Sequence, residues 1–181
     1  MKILKIFLLI VISLFLVILI TIGGVYYYYI GRHPADNKKY PHYIGYLDPE
    51  TTVSKDGFTL CEEKKPKYTH HGAPKRAYRI NKKEFDKNIK SKYQNKGYTD
   101  YGYLNFRFII NCTGETGMFE TIQMNMDMQE KQLQPEMVKH LFELTSASEN
   151  WNIIKYKEEP VDYYMYVSYK IENGEITEIL P

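Results

Sequence analysis

Two cysteines, Cys61 and Cys112, are the only thiols in 181 residues. Paired thiols have three ordinary chemistries: a disulfide, a metal site, or a nucleophile activated by a neighbouring cation or helix N-terminus. The nucleophile reading finds no basic partner or helix start in the sequence around either residue. His70-His71 offers imidazoles, but further Cys or His at metal-site spacing is missing, so no metal is expected. Asn111-Cys112-Thr113 matches the loose glycosylation pattern, a match that short patterns make by chance. Glu158, Glu159 and Asp162 form an acidic cluster, which reads as a solvated loop. No nucleophile elbow, phosphate loop or dinucleotide fingerprint occurs. The chain therefore reads as non-enzymatic, with no cofactor and no catalytic residue.

The elements that would carry these residues follow from apolar spacing. Asn81 can cap a helix, with Glu84 three residues on, and Ile80 is placed to staple onto Phe85. Phe85, Ile89 and Tyr93 recur every four residues, and Gly97 is a stop. "GYLNFRFIINCTGETGMFETIQMNMDM", from Gly102 to Met128, then reads as two strands joined at "TGETG". Leu104, Phe106, Phe108, Ile110 and Cys112 share one face of the first run; Tyr103, Asn105, Arg107, Ile109 and Asn111 share the other. In the second run Met118, Ile122, Met124, Met126 and Met128 point one way, Glu120 excepted, and Phe119, Thr121, Gln123, Asn125 and Asp127 the other.

A second helix is expected to start near Pro135, with a stripe of Met137, Val138, Leu141, Leu144 and Thr145, and to end before Trp151, a packing anchor. "VDYYMYVSYKI" alternates as a long strand, Asn173-Gly174 is a two-residue hairpin signal, and "ITEIL" returns as a short strand. The fold class is α+β: a small antiparallel sheet with helix packed on one face, in the order helix, strand, strand, helix, strand.

The N-terminus is different. Ile6 to Ile22 is apolar apart from Ser13 and Thr21, and with the residues that follow reaches the roughly 20 needed to cross a bilayer. Its exit, "TIGGVYYYYIG", lacks the small-residue signature of signal-peptide cleavage, so an uncleaved anchor is expected over 1–30, with Tyr26 to Tyr29 as an interfacial belt. Lys2 and Lys5 before the span suggest an N-in, C-out orientation. Residues 31–80 read as an irregular tether and 81–181 as the folded domain.

All 22 acidic residues and 22 of the 24 basic ones follow the span. The remainder is formally neutral, a poor match to nucleic acid. The charge is uneven, however: Lys64 to Lys96 carries 12 basic and 2 acidic residues, Gly97 to Pro181 carries 6 and 14. That pattern is either two solvated faces of one fold or a basic surface for an acidic partner.

From Phe85 to the end the chain resembles the C-terminal domain of TonB energy-transducer proteins. The likeness rests on the "GYLNFRFIINCTGETG" hairpin, a helix ending near Trp151, and a closing "YKIENGEITEIL". It implies a single-pass inner-membrane protein with its domain in the periplasm. The expected partner is a segment of an outer-membrane receptor, or another envelope protein in an adaptor role, with a homodimer as a further option. The partner would pair with an exposed strand edge, which by position is Asp162 to Ile171, with Asp162, Tyr164, Tyr166, Ser168 and Lys170 as the contact residues. A periplasmic domain would let Cys61 and Cys112 form a disulfide; alternation leaves Cys112 equally readable as a small buried hydrophobe. The chain departs from the family in having eight scattered prolines instead of a Pro-rich spacer, and a span with Ser13 but no His. The family's Tyr-Pro before the first strand and Pro after the Trp are absent too.

Overall fold

The computed structural model describes residues 2–31, 47, 48, 50–54, 57–61, 66 and 74–180. These divide into two compact units, Met1–Tyr43 and Ile44–Pro181. In the first, helix α1 spans Lys2–Tyr26 and one π-helical turn follows at Tyr27–Gly31. No residue of α1 is buried. The apolar stretch Lys2–Tyr29 is 28 residues, about 40 Å of helix against a hydrocarbon core of about 30 Å. It is long and apolar enough to cross a membrane, a test that a signal sequence also passes. The two hydroxyls of the span are satisfied within the helix: Ser13 Oγ donates to Ile10 O at 2.9 Å and Thr21 Oγ1 to Val17 O at 2.8 Å.

The second unit is α+β. Its elements are α2 (Pro74–Ala77), α3 (Lys82–Lys92), β1 (Gly102–Ile110), β2 (Thr116–Met124), α4 (Pro135–Thr145), β3 (Ile154–Tyr156), β4 (Glu159–Val161), β5 (Tyr163–Glu172) and β6 (Glu175–Leu180). The main sheet has the order β2-β1-β5-β6, antiparallel throughout; β3 and β4 form a separate hairpin. β1 and β5 pair without a break from Gly102↔Ile171 to Ile110↔Tyr163.

Helix α3 starts where the sequence indicates, with Asn81 Oδ1 accepting from Glu84 N at 2.9 Å. The expected staple does not form. Ile80 is 74% exposed, and Phe85 packs instead against the rings of Tyr78 and Trp151 at 5.0 and 5.1 Å. The core lies between the helices and one sheet face. Phe85 and Ile89 from α3, and Met137 and Leu141 from α4, meet Leu104, Phe106 and Phe108 of β1 and Val167 and Tyr169 of β5. Buried hydroxyls on this face find partners: Tyr169 Oη and Thr145 Oγ1 share a hydrogen bond of 2.7 Å, and Tyr163 Oη donates to Asn152 O at 2.6 Å.

Strand β2 departs from simple alternation. Its register against β1 shifts between Arg107 and Ile109, so Met118 and Phe119 together face Phe108. Met118 takes a φ of 52°, and the bulge turns the buried Phe119 onto the stacked ring of Phe108 at 4.5 Å. Ile122 and Met124 consequently pair with Asn105 and Tyr103 on the face away from the helices. There the half-buried Glu120 finds the guanidinium of Arg107, their side chains 15% and 13% exposed.

The stretch read as a tether is in part built into this unit. Leu47, Pro66, Ala77 and Tyr78 are buried. Val53 forms a two-hydrogen-bond bridge to Phe119. Phe58 lies on Gly117, where a Cβ would stand 2.3 Å from the ring. Isolated contacts of this kind have no period and leave no sequence signal.

Two outcomes follow. Gly117→Ala should displace Phe58 and lower stability by about 1–3 kcal/mol, read by denaturant unfolding; an unchanged midpoint would refute the close packing. The second concerns Asp86, whose Oδ1 is buried without a partner. Burial raises its pKa, opposed by Lys82 and Lys90. The folded state therefore holds the proton more tightly, and this group's contribution to stability falls as pH rises through the raised pKa. Asp86→Asn should raise the melting temperature at pH 7 and leave it unchanged near pH 3; equal gains at both would overturn the assignment.

Candidate functional site

Asp162 heads β5 at the place where three pieces of chain meet. Cys61 and Cys112 are joined by a disulfide, with Cα atoms 5.9 Å apart and a sequence separation of 51. Closing a loop of that size contributes about 4 kcal/mol on the chain-entropy account. The carboxylate of Asp162 holds both halves: Oδ2 accepts from Cys61 N and Oδ1 from Cys112 N, each at 2.9 Å. The two sulfurs and a carboxylate oxygen lie within 4.8 Å of one another. With the sulfurs bonded to each other, the group serves as a covalent clasp with an anionic brace.

The hairpin beside it is organised by Asn111, which is buried. Its Oδ1 accepts from Thr113 N at 3.1 Å and Glu115 N at 2.9 Å, while its Nδ2 donates to Thr59 O at 3.1 Å. An amide engaged on both sides and buried offers no acceptor for a glycan, and the sequon is a turn motif.

The expected contact strand needs correction. β5 lies between β1 and β6, and β6 pairs with it from Ser168 to Glu172. Ser168 and Lys170 thus have neighbours on both sides, opposite Leu180 and Glu178 on one and Asn105 and Tyr103 on the other. Asp162 is 3% exposed and committed to the cysteine amides. Tyr164 and Tyr166 are half-buried on the face away from the helices, where Tyr166 lies opposite Arg107. The five residues are therefore not one open edge.

The outermost strands are β2 and β6. Two outward carbonyls of β6 are taken by α3: Lys82 Nζ donates to Ile179 O at 2.7 Å and Lys90 Nζ to Thr177 O at 3.0 Å. Two lysines of the basic run thus lie along β6, in the acidic half of the chain, and blunt that edge. The β2 margin is bridged at Phe119 by Val53 and at Met124 by Glu130.

No family model, no curated protein and no solved structure matches the chain. What it binds must be argued from its own surfaces. The clasp gives a direct measurement. Asp162→Asn can accept from only one of the two cysteine amides, and should cost about 1.5–3 kcal/mol with the disulfide intact. Loss of stability below about 0.5 kcal/mol would show that the carboxylate is not a brace.

Proposed function

We propose that this chain is a membrane-anchored, TonB-like envelope protein whose α+β unit holds a partner protein by strand addition. The observation that carries the reading is the element order behind an apolar N-terminal helix: helix, strand, strand, helix, strand, with all sheet pairs antiparallel. On this reading the span lies in an inner membrane and the second unit in the periplasm, where the disulfide is at home.

The strand that receives the partner is β5, by a route that differs from simple edge pairing. β5 continues past Ser168, the last residue that β6 pairs, toward Tyr163. A partner strand enters beside Tyr166 and continues by displacing the six-residue β6. Its main-chain groups then replace those of β6, so the exchange conserves hydrogen bonds and its specificity comes from side chains.

A second reading, an adaptor without energy coupling, is favoured by the span itself. Between Ile6 and Ile22 there is no ionisable residue, and both hydroxyls are bonded to the helix's own carbonyls. A helix of this composition has no group with which to carry a proton.

The test places a photo-crosslinking amino acid at Tyr166 in intact membranes, with Lys83 on α3 as control. The Tyr166 position should capture one envelope protein, and a Lys170→Cys/Glu178→Cys disulfide that ties β6 to β5 should abolish the capture. Equal capture from Lys83, or capture that survives the tie, sinks strand exchange at β5. Crosslinking of α1 to a proton-driven motor complex would decide for energy coupling over the adaptor.

A further inference from the structure

The opposite margin of the sheet holds a second surface. Phe119 N donates to Val53 O at 2.7 Å and Val53 N to Phe119 O at 2.8 Å; four residues on, Lys131 N donates to Gln123 O at 3.1 Å. These backbone groups point outward from β2. With a strand period of two, the N–H and C=O of Thr121 between them also point outward. Among the described residues neither has a partner. The margin is thus paired on both sides of Thr121 and open at it.

The opening faces a groove of about 410 Å³ between β2 and α4. Its apolar wall is Val53, Leu133, Pro135, Val138 and Phe142. Gln123 shapes one end by accepting from Leu133 N through Oε1 at 2.8 Å. Among the described residues no carboxylate lines the groove, whereas Lys139 does, with no ion pair. Volume and lining are those of a recognition pocket: mostly apolar, with few convergent polar groups.

We propose that this groove binds an extended peptide segment in which an aliphatic residue stands two positions from an acidic one, so that both side chains lie on the same face of the added strand. The aliphatic side chain fills the apolar wall. The same residue's N–H and C=O pair with Thr121 C=O and N–H, which a lipid chain could not do. The carboxylate two positions along, on the same face of the added strand, meets Lys139, which has no counter-ion among the described residues. The inference shares with the function proposed above only the class of partner, a peptide strand; it uses the other margin of the sheet.

The probe is a phage-displayed library of random peptides about ten residues long, panned on the full chain in nanodiscs of neutral lipid. Peptides with an aliphatic and an acidic residue two positions apart should be enriched. The best of them, made synthetically, should bind about tenfold more weakly to Lys139→Glu and to Val138→Glu, both on exposed or half-exposed positions of α4. Methylation of the aliphatic residue's backbone nitrogen should weaken it by a similar factor. Binding should be unaffected by the disulfide that ties β6 to β5. Enrichment without that composition, or no effect of Lys139→Glu or of N-methylation, overturns the proposal. Peptide binding lost on tying β6 assigns the peptide to β5 and leaves the groove without a role. Self-association of the chain that Lys139→Glu abolishes gives the groove to a second copy and overturns the peptide assignment as well.

Discussion

Trp151 is the contact on which the second unit depends. Its ring meets Tyr78 at 5.5 Å, Phe85 at 5.1 Å and Phe108 at 5.3 Å. Its Nε1 donates to Thr145 O at 2.9 Å, closing the end of α4. One side chain thus ties together the segment before α3, the first turns of α3, the central strand and the last turn of α4. Its backbone also bridges Tyr78. A buried aromatic contributes both area and geometry, and here the geometry decides which helix lies over which strand. From Phe108 the ring contacts continue to Phe119, and from there to Phe142 of α4. The bulge in β2 makes that last step available.

Much of this was legible because burial leaves a period. β5 alternates over its whole length and β1 up to Phe108, and both formed as read, within two residues at their ends. Asn173 and Gly174 have φ of 53° and 72°, the turn that their residue types announce. The β3–β4 hairpin makes a turn with positive φ at Lys157 and Glu158. Neither residue type signals that conformation, so an acidic loop was the natural reading. Asp162 was misplaced for a related reason. Its charge suggested solvent, but two backbone N–H groups from distant residues provide what water would have supplied, and no local pattern encodes them. The candidate edge failed on topology, although the reason was legible: the Asn173-Gly174 hairpin already lays β6 beside β5, and only position in the family resemblance makes β5 an edge. The groove was invisible because its wall mixes three elements and its key group is a main-chain amide.

The two faces of the sheet illustrate how composition divides. The helix side takes the rings. The far side keeps an Arg107–Glu120 pair in the middle of a half-buried field of tyrosine, isoleucine and methionine. Truncating either partner would leave a charge in that field without its counter-ion, so the pair fixes β2 against β1 in a way that apolar contacts alone would not. Register on this face matters because a slip by one residue would send the methionines to the core and the phenylalanines to water.

The clasp between Cys61 and Cys112 also has a mechanical meaning. On the function proposed above, the chain is held at one end in a membrane and at the other by a partner, and is a line under tension. Tension arriving along the backbone at Cys61 crosses the sulfur bridge to Cys112 and passes on to the hairpin and β2, skipping α2, α3 and β1. The skipped interval is a slack loop within a taut chain, and it contains the residues on which Trp151 rests. A pull from the N-terminal side first loads the Val53–Phe119 bridge and the Phe58 contact, and beyond them a covalent bond takes the load before the residues around Trp151 do.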